Sequence, residues 1–243
     1  MKILKLVYSF LGILIFISCN NTTPHSGAVV TGHPEATKIG IQVLKDGGNA
    51  IDASISVQLA LSVCLPKAGN IGGGGFMIYR EKNGQSYALD FREQAPQASY
   101  QTMYLDKNNN TIDSLSTYGP LSVGVPGTID GIFKSHKKFG SIGIDTLFNY
   151  AIELARNGFP ITKKQAQELN YFQKDFKKFN PHNNYLQNIE WKAGDTLRQL
   201  DLAKTLNIIK ETGRSGFYEG EIANSIIETM GDNGIISLND LKN

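Results

Sequence analysis

Between positions 51 and 63, apolar side chains at Ile51, Ala53, Ile55, Val57, Leu59, Ala60, Leu61 and Val63 cover nearly the whole circumference of a helix. A helix apolar on all sides is a buried one. At roughly 15 residues before Pro66 it is too short to span a bilayer. Asn49 is a good cap for it, and Asp52 falls in its first turn. The pattern at 145–157 differs. Ile144, Leu147, Phe148, Ala151, Ile152 and Ala155 recur every three or four residues and leave the rest polar, so an amphipathic helix is predicted, ended by Gly158. Two shorter runs, 76–81 and 87–91, read as strands. Between them stands Asn83-Gly84, the preferred pair for a type I′ turn, and the three together predict a β-hairpin.

The remaining segments follow from their punctuation. Residues 28–31 (Ala-Val-Val-Thr) read as a short strand. Pro34 then opens a helix that runs to about Asp46 and is stopped by Gly47-Gly48. Residues 95–119 are polar and irregular, with Asn108-Asn109-Asn110 as a loop. Residues 121–125 read as a strand, and Pro126-Gly127 starts a helix to about Lys138. A lysine-rich helix is predicted over 162–179; its lysines read as a solvated face. A loop at 180–194 holds the single Trp191. Helices over 199–211 and 219–230 follow, then a strand remnant at 235–237. Ser237 could cap a helix at Asn239-Asp240-Leu241, but a helix begun there has little room to form.

The densest chemistry lies at 69–93. Gly72 to Gly75 strip every side chain from one piece of backbone, which is conformationally costly and marks a place where something approaches the main chain closely. The hairpin carries Arg92 back beside these glycines. A backbone-lined hollow with a guanidinium at its edge could hold a small carboxylate. Two plainer readings stand beside it: a structural glycine turn, and a surface ion pair of Arg92 with Asp90 or Glu93. Phosphate loops are excluded by context, because the glycines lead into a strand and no Gly-Lys-Ser/Thr follows.

Composition narrows the partners. Of 243 residues, 41% are hydrophobic and 19% charged, as in an ordinary globular protein. The net charge is +2, and without Lys2 and Lys5 the basic and acidic residues balance at 22 each, so nucleic acid is not an expected partner. Cys64 sits in an apolar run as a small hydrophobe, and neither the two cysteines nor the four scattered histidines have metal-ligand spacing. No metal or cofactor is expected. Lys2 and Lys5, the apolar stretch from Leu6 to Ile17, and Ser18-Cys19 form a targeting segment that resembles a bacterial lipoprotein signal. Residues 1–18 would be removed and Cys19 lipidated. Ordinary signal cleavage and an uncleaved anchor are the alternatives. Residues 19–27 read as a flexible tether, and residues 28–243 as the body of the protein, placed outside the cytoplasm in a bacterial cell envelope.

Several stretches together resemble the γ-glutamyltransferase (glutathione hydrolase) family. They are Thr31-Gly32-His33-Pro34, Gly47-Gly48-Asn49-Ala50-Ile51-Asp52-Ala53, Gly69-Asn70-Ile71-Gly72-Gly73-Gly74-Gly75-Phe76, Leu89-Asp90-Phe91-Arg92-Glu93 with Ala95-Pro96, Val123-Gly124-Val125-Pro126-Gly127, Phe217-Tyr218-Glu219-Gly220 and Ser237-Leu238-Asn239-Asp240-Leu241. The resemblance covers essentially everything after the tether. It implies an α+β fold, the N-terminal nucleophile hydrolase αββα sandwich, of which this sequence would hold an incomplete, N-terminal portion. It also implies a precursor that cuts itself, so that the new N-terminal Thr of a small subunit attacks γ-glutamyl bonds of donors such as glutathione. In that family the arginine of the Asp-Phe-Arg-Glu motif grips the α-carboxylate of the γ-glutamyl group; here it is Arg92.

No threonine here sits in the family's nucleophile motif. Thr31, Thr117 and Thr128 share only the residue type, and no catalytic nucleophile is assigned. The sequence therefore predicts the first part of such an enzyme, completed by a C-terminal or small-subunit partner. Two other readings are a non-catalytic γ-glutamyl-binding lipoprotein and an inert remnant of a broken gene. Without the completing strands, the apolar helix and the hairpin are expected to face water.

Overall fold

The computed structural model describes residues 27–179 and 190–243. The lipoprotein signal, Cys19, all but the last residue of the tether, and most of the 180–194 loop lie outside these residues. Helix α1 spans Pro34–Lys45 and α2 spans Ala50–Cys64. The His33 ring nitrogen Nδ1 accepts the Glu35 N–H at 3.2 Å and caps α1. Asn49 caps α2 in a reciprocal box: its side chain accepts the Ile51 and Asp52 N–H groups at 2.8 and 3.1 Å, and Asp52 accepts the Asn49 N–H at 2.8 Å. As its composition demands, α2 is the core helix. It packs on α1 and on α4, which spans Ile144–Asn157, with α3 (Thr128–Phe139) beside it. Leu59, Ala60, Val63 and Cys64 are fully enclosed, and burial pushes the Cys64 thiol up to about 12. The expectation that this helix would face water is thus corrected, because neighbouring helices cover it.

Strands β1 (Phe76–Arg80) and β2 (Ser86–Asp90) form the antiparallel hairpin in register Phe76 to Asp90. Its inner face is anchored by Tyr79 and Tyr87, whose rings lie 4.9 and 4.8 Å from Phe139. The outer face is open, with Phe76 and Ile78 63% and 78% exposed, so the expectation holds for this element. The turn differs from the predicted type I′. Only Gly84 has a positive φ, of 91°, whereas a type I′ turn needs positive φ at Asn83 as well. Glu81 instead pairs with Gln85, and Lys82-Asn83-Gly84 form a three-residue loop with Gly84 as its left-handed residue. The Asn83 side chain accepts the Gln85 N–H at 2.8 Å.

Beyond α4 lie β3 (Phe159–Pro160), α5 (Lys163–Phe179), β4 (Thr196–Leu197), α6 (Leu200–Thr212), α7 (Ser215–Tyr218), α8 (Gly220–Met230) and α9 (Leu238–Lys242). The pair β3–β4 is a second two-stranded sheet, and α6 packs on α4. Three predicted strands are not strands. Residues 28–31 run extended but unpaired, with Val29 lying against Gly40 of α1 and Val30 95% exposed. Residues 121–125 hold a 3-10 turn, Pro120–Ser122, and a single bridge from Val125 to Gln94. Ile236 enters the core from an irregular segment. Val29 packs on α1, and Val123, Val125 and Ile236 pack against the core, so tertiary contact overrides strand propensity. The terminal helix also departs from expectation: α9 forms as a single turn, because the Ser237–Asp240 capping box satisfies its free N–H groups.

Replacing Leu59 by Ala opens a void at the centre of this packing. A loss of about 2–5 kcal/mol is expected, read as a lowered denaturant midpoint with unchanged slope.

Candidate functional site

The glycine segment shows what approaches its backbone. Gly75 and Phe91 exchange two main-chain hydrogen bonds, of 3.3 and 3.0 Å, and extend the hairpin by one pair. A Cβ on Gly74 would stand 2.5 Å from the Phe91 carbonyl oxygen and 2.7 Å from the Glu93 nitrogen. The Gly73 carbonyl accepts N–H groups of Gly127 and Thr128, at 2.7 and 2.9 Å, from the start of α3. From the other side, a Cβ on Gly127 would be 2.1 Å from the Phe91 oxygen, and one on Gly131 would be 2.4 Å from the Phe91 ring. Gly72 to Gly75 all have ordinary negative-φ or extended backbones. They are required for closeness, and the close partner is the chain itself. Of the two readings of these glycines, the structural one describes Gly73, Gly74 and Gly75, while Gly72 faces open space.

This crossing places Arg92. Its N–H donates to Asp90 Oδ1 at 2.9 Å. Its Nε lies 3.5 Å from Glu93 Oε2, and its guanidinium carbon lies 6.0 Å from the centre of the Phe76 ring. The side chain is 66% exposed, so the Glu93 pair is weak. Among the described residues the two terminal nitrogens have no acceptor, which leaves the bidentate edge of the fork available.

Arg92 stands at the rim of a cleft of about 360 Å³. Across it lies a group that the sequence reading missed. Arg214 Nε donates to Asp130 Oδ1 at 2.7 Å, and Lys134 pairs with the other oxygen at 2.5 Å. The Arg214 guanidinium lies over the Tyr218 ring at 4.3 Å. Tyr218 donates to the Pro126 carbonyl at 2.8 Å and accepts the Asp130 N–H at 3.2 Å. Burial works to raise the Asp130 carboxyl, but the hydrogen bonds from Lys134 and Arg214 outweigh it and hold the group below the usual carboxylate range. Burial pushes the Tyr218 phenol up to about 12. Asp240, also at the cleft, accepts N–H groups from Gln97 and Ser237 at 2.9 and 2.8 Å. Burial opposes its ionisation and the Ser237 hydroxyl favours it, with the net shift downward. The i, i+4 spacing of Asp130 and Lys134 and the Ser237-x-x-Asp240 box were readable signals. Tyr218 stands in the Phe217-Tyr218-Glu219-Gly220 stretch, which suggested no place at a cleft, and nothing in the sequence pointed to Arg214.

The threonines stay apart from this cleft. Thr31 Oγ1 donates to the His33 carbonyl at 2.8 Å, and Thr117 Oγ1 to the Asp113 carbonyl at 2.9 Å. Thr128 is buried at the start of α3. None lines the cleft. Among the described residues no group of three or more His, Cys, Asp or Glu could hold a metal, and no helix is long and apolar enough to cross a membrane.

The profile of one protein family, gamma-glutamyltranspeptidase, matches residues 36–243. Glutathione hydrolase proenzymes of Pseudomonas sp. (strain A14) and Escherichia coli (strain K12) are 43% and 39% identical over 89% and 88% of this chain. The chain spans only 38% of the length of each of these two relatives. Among solved structures, gamma-glutamyltranspeptidase of Helicobacter pylori superposes with a TM-score of 0.85 at 43% identity, covering 89% of this chain and 63% of that one. The Pseudomonas nitroreducens enzyme, complexed with L-DON, gives 0.81 at 39% identity, covering 89% and 64%. A cephalosporin acylase from Bacillus halodurans gives 0.75 at 26% identity, covering 86% of this chain and 40% of that one. The fold class is therefore that of the N-terminal nucleophile hydrolases, as expected. The described residues contribute two two-stranded sheets to it.

Two substitutions test the geometry. Gly127→Ala drives a Cβ into main-chain atoms that cannot swing away, so a loss of roughly 1–3 kcal/mol of stability is expected in thermal or urea unfolding. For Asp130 the folded carboxyl lies below its unfolded value, so its contribution is present above the unfolded value near pH 4 and is lost as pH falls through the lower folded value. Asp130→Asn should destabilise by roughly 1 kcal/mol at neutral pH, with the gap from the parent closing below about pH 4.

Proposed function

This chain belongs to the gamma-glutamyltranspeptidase family, and we propose that it forms the front part of an enzyme that breaks γ-glutamyl amide bonds in glutathione-like donors. The observation that carries this reading is the open bidentate edge of Arg92, held by a backbone crossing at the rim of a cleft. A planar guanidinium with two free terminal nitrogens matches the α-carboxylate of a γ-glutamyl group. Fixing that carboxylate orients the γ-carbonyl for attack.

The nucleophile in this proposal comes from a Thr-led segment outside these residues, as a proenzyme would supply it. The Thr hydroxyl adds to the γ-carbonyl while the Thr α-amine takes its proton. The amide C–N bond then breaks, the departing amine takes the proton, and an ester-linked glutamyl enzyme remains. Water or the amine of an amino acid or peptide attacks that ester and releases the Thr. The open outer face of the β1–β2 hairpin, with Phe76 and Ile78, is where a further layer of a sandwich would pack. A second reading, a γ-glutamyl-binding lipoprotein without chemistry, draws support from the closed helical core around α2, which these residues build by themselves. For either reading we propose a lipid anchor at Cys19 and a position in the bacterial cell envelope.

In an enzyme assembled with the Thr-led segment, Arg92→Ala should lower kcat/KM for γ-glutamyl-p-nitroanilide by about 10- to 100-fold. Arg92→Lys should recover only part of it. Unchanged kinetics in both variants would exclude Arg92 as the carboxylate grip. For the second reading, saturable glutamate binding by this chain alone, lost in Arg92→Ala, is the expected result. Metabolic labelling with a radioactive fatty acid should mark the parent chain and leave Cys19→Ser unlabelled.

A further inference from the structure

Helix α5 uses little of its surface to hold itself in place. Of its 17 residues only Gln165, Ala166 and Leu169 are buried. At 100° per residue, Lys163, Lys164, Lys174 and Lys178 fall within an arc of about 100° on the side away from those three, and Lys177 lies at its flank next to Ala166. Lys164, Tyr171 and Lys178 are seven residues apart and share one stripe, on which Tyr171 is 77% exposed. Beside it Phe172, 41% exposed, meets the Tyr171 ring edge-on at 5.0 Å. Among the described residues none of the five lysines is paired with a carboxylate. Lys178 instead lies over the Phe179 ring at 4.9 Å. Of the two acids on the helix, Glu168 is taken by Lys67 at 2.6 Å, which leaves Asp175 as the one local counter-charge.

A solvated lysine face has no use for open aromatic rings. Unpaired lysines around an exposed Tyr, with Phe172 at the edge of the same surface, on a helix of low overall hydrophobicity are instead the make-up of a helix that lies on a membrane. The ammonium groups meet headgroup phosphates, and the rings reach the boundary with the acyl chains. The array is a convex helical face with no groove to track a polynucleotide strand, so a flat bilayer fits it better than nucleic acid does.

We propose that the outer face of α5 is a peripheral docking surface for an anionic lipid bilayer. The face stands independently of the γ-glutamyl reading. It would add an electrostatic contact to whatever attachment the N-terminal segment provides, and set how the body of the protein lies on the bilayer.

The test uses the full chain with Tyr171→Trp on phosphatidylcholine vesicles with and without phosphatidylglycerol. Brominated lipids report the depth of the new indole above the background of Trp191. The N-terminal segment, with Lys2 and Lys5, is identical in the parent and in the α5 variants, so the α5 contribution is read as the difference between them on anionic vesicles. The expected result is a blue shift and bromine quenching with phosphatidylglycerol alone, reversed by raised salt. In the Lys164→Glu, Lys174→Glu, Lys178→Glu background, binding to anionic vesicles should fall at least tenfold. Single Lys174→Ala and Lys178→Ala variants with parental melting temperatures should show a graded loss, which guards against misfolding. Equal quenching on both vesicle types, no quenching on either, or retention on an acidic polymer without response to anionic vesicles would each overturn the proposal.

Discussion

The carbonyl oxygen of Gly73 receives two main-chain hydrogen bonds from the first turn of α3, and the site rests on that junction. A helix start carries N–H groups with no partner inside the helix. Here two of them are satisfied by the glycine segment that leads into the hairpin. The contact brings α3 so close to the end of β2 that side chains at Gly74, Gly127 and Gly131 would collide with Phe91 or Arg92. Arg92 is consequently located by three crossing pieces of backbone. Tyr218 reinforces the junction from behind, with its hydroxyl tied to Pro126 and to the Asp130 N–H.

Three acidic residues repeat one device around this centre. Asp52, Asp130 and Asp240 each sit in the first turn of a helix, where a carboxylate complements the partial positive charge of that end. Each also reaches a distant segment: Asp52 holds Ser141 across 89 positions, Asp130 holds Arg214 across 84, and Asp240 holds Gln97 across 143. Helix starts thereby double as long-range ties, and the irregular stretch from 95 to 119 is fastened at its beginning without belonging to any sheet.

What was legible in the sequence was what local physics dictates. The apolar circumference of α2, the stripe of α4, the Asn49 cap and the hairpin were all readable because period and capping are written in neighbouring residues. The place of Arg92 beside the glycines was legible from the hairpin that carries it back. The glycine run announced a close approach, but the approaching partner, Phe91 with the start of α3, is set by the tertiary fold. Arg214 stayed hidden for the same reason, and so did the tie of Tyr218 to Asp130, since no local pattern links residues 84 and 88 positions apart. The misread strands at 28–31, 121–125 and 235–237 hold β-branched apolar residues that went to α1 or to the core with at most one bridge, from Val125 to Gln94, instead of forming ladders. The Asn83-Gly84 turn was misread because its loop is one residue longer than the pair suggested.

The crossing fixes where the main chain of Arg92 runs, while its exposed side chain keeps its rotameric freedom beyond that point. Gly74, Gly127 and Gly131 come from two different segments, yet each is held to the smallest residue by the same short stretch at Phe91 and Arg92. Their sizes are therefore coupled: enlarging any one of the three displaces the end of β2, and at Gly74 and Gly127 no side-chain repacking elsewhere relieves a collision with main-chain atoms.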